Sequence, residues 1–248
     1  GEKDLLSFTI TRGDIPQNTV DAAYMLNDEI GYVKVSKFGR TSHVELLNAL
    51  AQLNHKKCKG LIIDLRGNTG GYMEAAIRMV NEFLPEGKLI VYTQGRKYPR
   101  AEEFANGTGS CQKMPLVVLI DEGSASASEI FTGAIQDNDR GTIVGRRSFG
   151  KGLVQRQIPY SDGSALRLTT ARYYTPSGRS IQATGIKPDV AVDDTAEGNY
   201  PSFIIREADL DNHLTVSGNS TDTDEAKEEA ESETASDKDV YKFGDDND

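Results

Sequence analysis

The chain has no tryptophan, only three histidines and two cysteines, and its 38 acidic residues outnumber 28 basic ones. Each shortage narrows what the protein can do. His43, His55 and His213 lie beside a helix start, in a Lys-rich turn and near the C-terminal end, and none has an evident carboxylate or hydroxyl partner in the sequence. This placement weighs against a Ser-His-Asp arrangement, although triads are assembled from distant positions. Cys58 and Cys111 are too few for a disulfide framework and lack metal-ligand spacing, so buried or free thiols are expected, with a single bridge open in an oxidising compartment. No metal and no cofactor is called for. No apolar run approaches the roughly 18 residues of a membrane span, and the start carries no signal peptide. The acidic balance and the missing basic patch argue against nucleic-acid binding.

The negative charge is unevenly placed. Residues 215–248 hold 12 acidic and 3 basic residues, a net of −9, so almost all of the formal −10 lies there. With few large apolar side chains, that stretch cannot bury enough surface to offset chain entropy, and it is expected to be an acidic flexible segment. An acidic docking segment is its functional alternative. At the other end the chain opens on LLSFTI, which reads as the last strand of something upstream. The expected organisation is a remnant over residues 1–14, a core over 15–214 and the acidic segment over 215–248.

Within the core, apolar runs at Leu5 to Ile10, Ile30 to Val35, Gly60 to Leu65, Leu89 to Tyr92, Leu116 to Ile120 and Thr142 to Gly145 predict strands. Helical patterns lie between several of them. Ser42 and Glu45 have capping-box spacing before Val44, Leu47, Leu50 and Leu53 on one helical face. Further helices are predicted from about Tyr72 to Leu84 and from about Ala125 to Asp137. Strands alternating with helices predict an α/β fold, and the alternation at Ala165 to Thr169 and Ala171 to Tyr174 adds β structure beyond it.

Three segments carry possible chemistry. GLIIDLRGNTGGY, residues 60–72, runs from a strand into a Gly-rich turn that can aim N–H groups at a phosphate or an oxyanion. GRRSFGKG, residues 145–152, matches GxxxxGK, but Gly152 stands where a nucleotide loop needs Ser or Thr, and LVQRQIPY continues as a strand. Nucleotide binding is therefore disfavoured. SASASEIF puts Ser124 at a predicted helix N-cap, with Ser126 and Ser128 near the positive end of the helix dipole, where developing negative charge is stabilised. Lys151, held between Gly150 and Gly152, follows Ser126 by 25 positions. An uncharged lysine can serve a serine as base where no histidine is available. Residue chemistry alone does not choose among the three serines.

The ordered motifs GYVKVSKF, LIIDLRGNTGG, SASASEIFTGAIQD, VGRRSFGKGLVQ, LRLTTARYYTPSGRSIQATGIKPDV and READLDNHL resemble the peptidase domain of the C-terminal processing, or tail-specific, proteases. The resemblance covers roughly residues 31–214. It implies a crotonase-like α/β scaffold, a Ser-Lys serine endopeptidase acting on protein or peptide substrates, and a periplasmic or cell-envelope location. By position the nucleophile falls on Ser126, the general base on Lys151 and a third partner on Gln155, with Gly150 and Gly152 expected to bend the chain so that the last two meet. The oxyanion would be held by the N–H groups of Ala127 and of Gly70 or Gly71.

Lys151 must be neutral to take a proton, so a dry, small-residue surrounding is expected around it. A carboxylate beside it would keep it charged. Glu129 and Asp137 are therefore expected to be structural, as partners of Arg140, Arg146 or Arg147, while Ser148 is expected to line the site. Such proteases carry a PDZ domain in cis, of which residues 5–12 would be only the final strand. Two alternatives stand beside this reading: a non-catalytic binding module, and an acyl-CoA enzyme that shares the oxyanion hole without needing the Ser-Lys pair.

Overall fold

The computed structural model describes residues 8–13, 17–55, 57–192, 205–211 and 213–215. The acidic segment beyond residue 215 and most of the 1–14 remnant lie outside these residues. Residues 8–10, expected to end a strand, have no regular structure.

Among the described residues the strands form two sheets. The larger runs β1 (Val20–Met25), β2 (Ile30–Val35), β3 (Gly60–Asp64), β6 (Leu116–Ile120), β7 (Thr142–Gly145) and β10 (Val190–Ala191) side by side in that order. Only the β1–β2 pair is antiparallel; the other neighbours are parallel. The first three parallel steps are bridged by α1 (Ser42–His55), by a stretch containing α2 (Met73–Asn81), and by α3 (Ala127–Asp137). The smaller sheet is antiparallel, in the order β5 (Tyr98–Phe104), β4 (Leu89–Gly95), β9 (Ala165–Tyr174), β8 (Leu153–Pro159). The α/β expectation holds, with most strands where their apolar runs lie. β1, β5 and β10 are not predicted from the sequence because none is an apolar run: VDAAYM is mixed, YPRAEEF is exposed along its whole length and β10 has two residues.

Helix α1 departs from its expected details. Val44 and Leu47 are exposed, and the buried face is Leu46, Ala49, Leu50 and Leu53. The capping box does not form either. The Glu45 carboxylate takes the N–H groups of Thr19 and Val20, while Ser42 Oγ bonds Thr19 Oγ1 and the Gly39 N–H. The helix start is thus tied to the start of β1, an interaction between distant positions that local spacing does not encode.

Helix α3 lies at the centre of the core, with every residue from Ala127 to Ile135 buried. Phe131 packs edge-on to Phe83 at 5.9 Å and tilted to Phe38 at 6.3 Å. A helix buried on all sides cannot drift, so whatever sits at its N-terminus is fixed relative to the sheet.

Candidate active site

Strands β3, β6 and β7 are neighbours in the parallel sheet, and a chemistry-bearing segment follows the carboxyl end of each. This is where open α/β sheets place their sites. The 65–72 turn follows β3, the serine cluster follows β6 and the Lys151 loop follows β7.

The three serines, which residue chemistry alone does not tell apart, are separated by the fold. Ser124 is fully buried and its Oγ donates to the Leu65 carbonyl, which ties the cluster to the end of β3. It is not the N-cap. Ser128, also buried, donates to the Asn68 carbonyl. Ser126 is the N-cap, half-buried, with φ 58° and ψ −111°. That left-handed backbone is sparsely populated by residues with a side chain, and such strain is held only where the surroundings over-determine it. Here Ser126 is gripped by its main chain: its N–H goes to Glu129 Oε2 at 2.7 Å, and its carbonyl takes the Glu129 and Ile130 N–H groups. Of the three hydroxyls, only that of Ser126 is not spent on a main-chain carbonyl.

Glu129 is the hub of the arrangement. Its Oε1 accepts from Ser148 Oγ at 2.6 Å and the Gly150 N–H at 2.7 Å, and its Oε2 from the Ser126 N–H at 2.7 Å and the Lys151 N–H at 2.9 Å. One buried carboxylate thus clamps the serine turn to the lysine loop. Burial pushes Glu129 up to about 7, against the opposing pull of Ser148 and the three N–H groups. Its expected partners, Arg140, Arg146 and Arg147, are elsewhere: Arg140 donates to the carbonyls of Phe83, Cys111 and Met114, Arg146 meets Glu122 and Arg147 meets the Thr184 carbonyl. Ser148 does not line the site but lies behind it, 1% exposed, accepting from the Ile186 N–H while it donates to Glu129. The Gly150 and Lys151 N–H groups that a nucleotide loop would offer to phosphate are turned inward onto Glu129, and β8 follows in place of a helix.

The glycines serve close approach. A Cβ on Gly70, whose φ is +98°, would lie 2.5 Å from the Ala125 carbonyl and 2.8 Å from Ser126 Cβ. A Cβ on Gly152 would lie 2.4 Å from the Gln182 N. Gly70 spends its N–H on Asn68 Oδ1 at 2.9 Å, whereas no acceptor meets the Gly71 or Ala127 N–H among the described residues.

Lys151 borders a cavity of about 480 Å³ with Thr69, Ala125, Phe149 and Ile205, but it is exposed, contrary to the dry surrounding expected. Gln155 is also exposed, opposite Thr169 on β8 beside a bulge, with no hydrogen bond to Lys151 among the described residues. Gly150 and Gly152 fit the loop against the turn at 181–185 and do not fold Gln155 back. His43 pairs with Glu82 and His213 with the Leu210 carbonyl, so neither attends Ser126.

The pattern of Peptidase family S41 matches residues 29–192, well over half of the chain. The chain belongs to that family. A carboxy-terminal-processing protease of Bartonella bacilliformis is 42% identical over 198 residues, 77% of this chain and 45% of the relative. A carboxyl-terminal-processing protease of Synechocystis is 40% identical over 213 residues, 82% of this chain and 49% of the relative. The solved photosystem II D1 C-terminal processing protease superposes with a TM-score of 0.66 at 33% identity, over 74% of this chain and 50% of its own. The S41 chain described here therefore spans about half the length of these relatives. No helix among its described residues is long and apolar enough to cross a membrane.

In this S41 domain Asp137 has a structural setting of its own. Its Oδ2 takes the Ser177 N–H at 2.9 Å and hydroxyl at 2.6 Å, and its Oδ1 meets Arg179, not Arg140, Arg146 or Arg147. Burial works to raise it, yet these bonds hold it below the usual carboxylate range. Cys58 and Cys111 are free and buried.

Proposed function

We propose that this chain is the peptidase part of a serine endopeptidase in which Ser126 attacks the scissile carbonyl and Lys151 takes its proton. The observation that carries the reading is the Glu129 clamp, which holds the strained Ser126 turn and the Lys151 main chain on one buried carboxylate. The Ala127 N–H sits at the N-terminus of α3, where the helix dipole favours the developing oxyanion. Gly71 is the better second donor, since Gly70 has already given its N–H to Asn68. Gly70 serves by letting the two turns touch. Water then releases the acyl group from Ser126.

The exposed Lys151 assigns one further task to the substrate. An extended peptide laid over the Thr69–Phe149–Ile205 cavity would supply the water exclusion that the exposed amine lacks in the chain alone. Gln155, at the start of β8, would hold that amine once the peptide has closed over it. Asp137 and Ser148 keep supporting places away from the reacting atoms. Selection of substrates by their C-terminal tails, a PDZ domain in cis and a periplasmic or cell-envelope location belong to the same proposal.

Digestion of unfolded casein tests it, using this chain and its Ser126→Ala and Lys151→Ala variants with circular dichroism to check folding. Cleavage by the parent and loss of at least a thousandfold in both variants is the expected result. Equal cleavage by all three would overturn it.

A further inference from the structure

A second pocket borders the end of the turn after β3, at Tyr72. It has a volume of about 240 Å³ and is bordered by Arg40, His43, Tyr72, Ala75 and Arg78. Two exposed arginines stand on its border. Arg66, Arg100, Arg146 and Arg179 each meet a carboxylate. Among the described residues Arg40 and Arg78 meet none, and the interaction recorded for Arg40 is with the Tyr72 ring, 5.6 Å below its guanidinium.

Nearby acids make no ion pair with either arginine among the described residues. Glu82 is spent on His43 at 2.9 Å and on the Ser110 N–H, Glu45 is turned to Thr19 and Val20, and Glu74 makes no ion pair with Arg78 four residues on. What is left is a small concavity with two uncompensated planar forks, one of them steadied by an aromatic face. That is the chemistry that receives a carboxylate in bidentate fashion.

Its distance from the nucleophile follows from the chain. Gly71 bridges Phe38, two residues before Arg40, and the Tyr72 N–H donates to the Phe38 carbonyl at 2.8 Å. A Cβ on Gly70 would lie 2.8 Å from Ser126 Cβ. Tyr72 Cα is at most two Cα steps of ~3.8 Å from Gly70, which sets it within about 12 Å of Ser126. An extended peptide covers that in about four residues.

We propose that the Arg40–Arg78 pocket is a substrate subsite that binds a peptide carboxylate within about four residues of the scissile bond. It rests on the peptidase reading and adds a substrate class to it: peptides bearing Asp or Glu at one position, or ending in a free carboxylate there.

A labelled panel built on one casein sequence separates these sources. Glu or Gln is placed in turn at each position, and every peptide is made with a free or an amidated C-terminus. Binding to the folded chain is read by fluorescence anisotropy and cleavage by kcat and KM. Glu should outperform Gln at one position by about fivefold, mainly in KM or Kd, if a side chain is the ligand. The free acid should outperform the amide by a similar factor if the terminus is. In Arg40→Gln and in Arg78→Gln that ratio should fall toward one. Ratios near one in the parent chain, or ratios unchanged in both variants, overturn the subsite. Failure of the peptidase reading looks different: no peptide is cleaved, while the anisotropy ratios still decide the pocket.

Discussion

Glu129 offers four lone-pair positions to four donors, three of them main-chain N–H groups that cannot accept a proton in return. Protonation inserts a hydrogen where donors converge and must break one of the four bonds. Activity should therefore rise with pH through about 7 as Glu129 ionises. The stability linkage runs the other way. Because the folded value lies above the ordinary 4.5, this group's stabilising contribution is complete below that value and is lost as pH rises through about 7. Melting temperatures and casein turnover of the parent and Glu129→Gln, measured from pH 5 to 8, should diverge accordingly. A variant that keeps the parent's acidic limb of activity would contradict this role. The serines make a sharper contrast. Ser124→Ala and Ser128→Ala each remove one of the two donors to a buried carbonyl and should each cost about 1 kcal/mol in urea unfolding, while most turnover survives. Ser126→Ala should do the reverse. Sequence chemistry brought all three serines into view but not this division, because a serine's worth as anchor or nucleophile depends on which carbonyls the rest of the chain brings to it. Glu129 was legible as structural, whereas its partners were not, since main-chain donors leave no mark in the sequence.

At the scale of elements, the strands with continuous apolar runs and the three helices were readable, along with the three segments that follow β3, β6 and β7. Their meeting was not, since it is made by parallel pairing between residues more than 50 positions apart, such as Leu61 with Leu116. The turn after β3 is stabilised from below by Asp64, which is buried, paired to Arg66 and bonded by the Tyr32 hydroxyl at 2.6 Å. Burial tends to raise Asp64, but the bonds from Arg66 and Tyr32 prevail and hold it at about 2. Its contribution to stability is present above the ordinary 3.8 and disappears as pH falls toward about 2. The stability gap between the parent and Asp64→Asn should thus be widest near neutrality and close in acid, as read by urea unfolding at several pH values. Gly70→Ala tests the contact between turns. Its Cβ meets a carbonyl at 2.5 Å on a left-handed backbone, so turnover should fall at least a hundredfold even where the chain still folds.

Across the whole molecule, the buried α3 fixes one half of the site while the other half stands at the junction of two sheets, with β8 starting two residues after Lys151. This explains why a dry lysine, expected from chemistry alone, is not what the chain presents by itself. Phe131→Ala at the centre should cost about 3–5 kcal/mol and lower activity by loosening both halves together, seen as a lower urea midpoint. The most direct test of the account asks whether Ser126 is the activated hydroxyl, using a fluorophosphonate with the labelled residue located by mass spectrometry. The account predicts labelling at Ser126 in the parent, none in Ser126→Ala and strongly slowed labelling in Lys151→Ala. Labelling at Ser124, Ser128 or another residue, or a rate unaffected by Lys151→Ala, would contradict the Ser-Lys assignment.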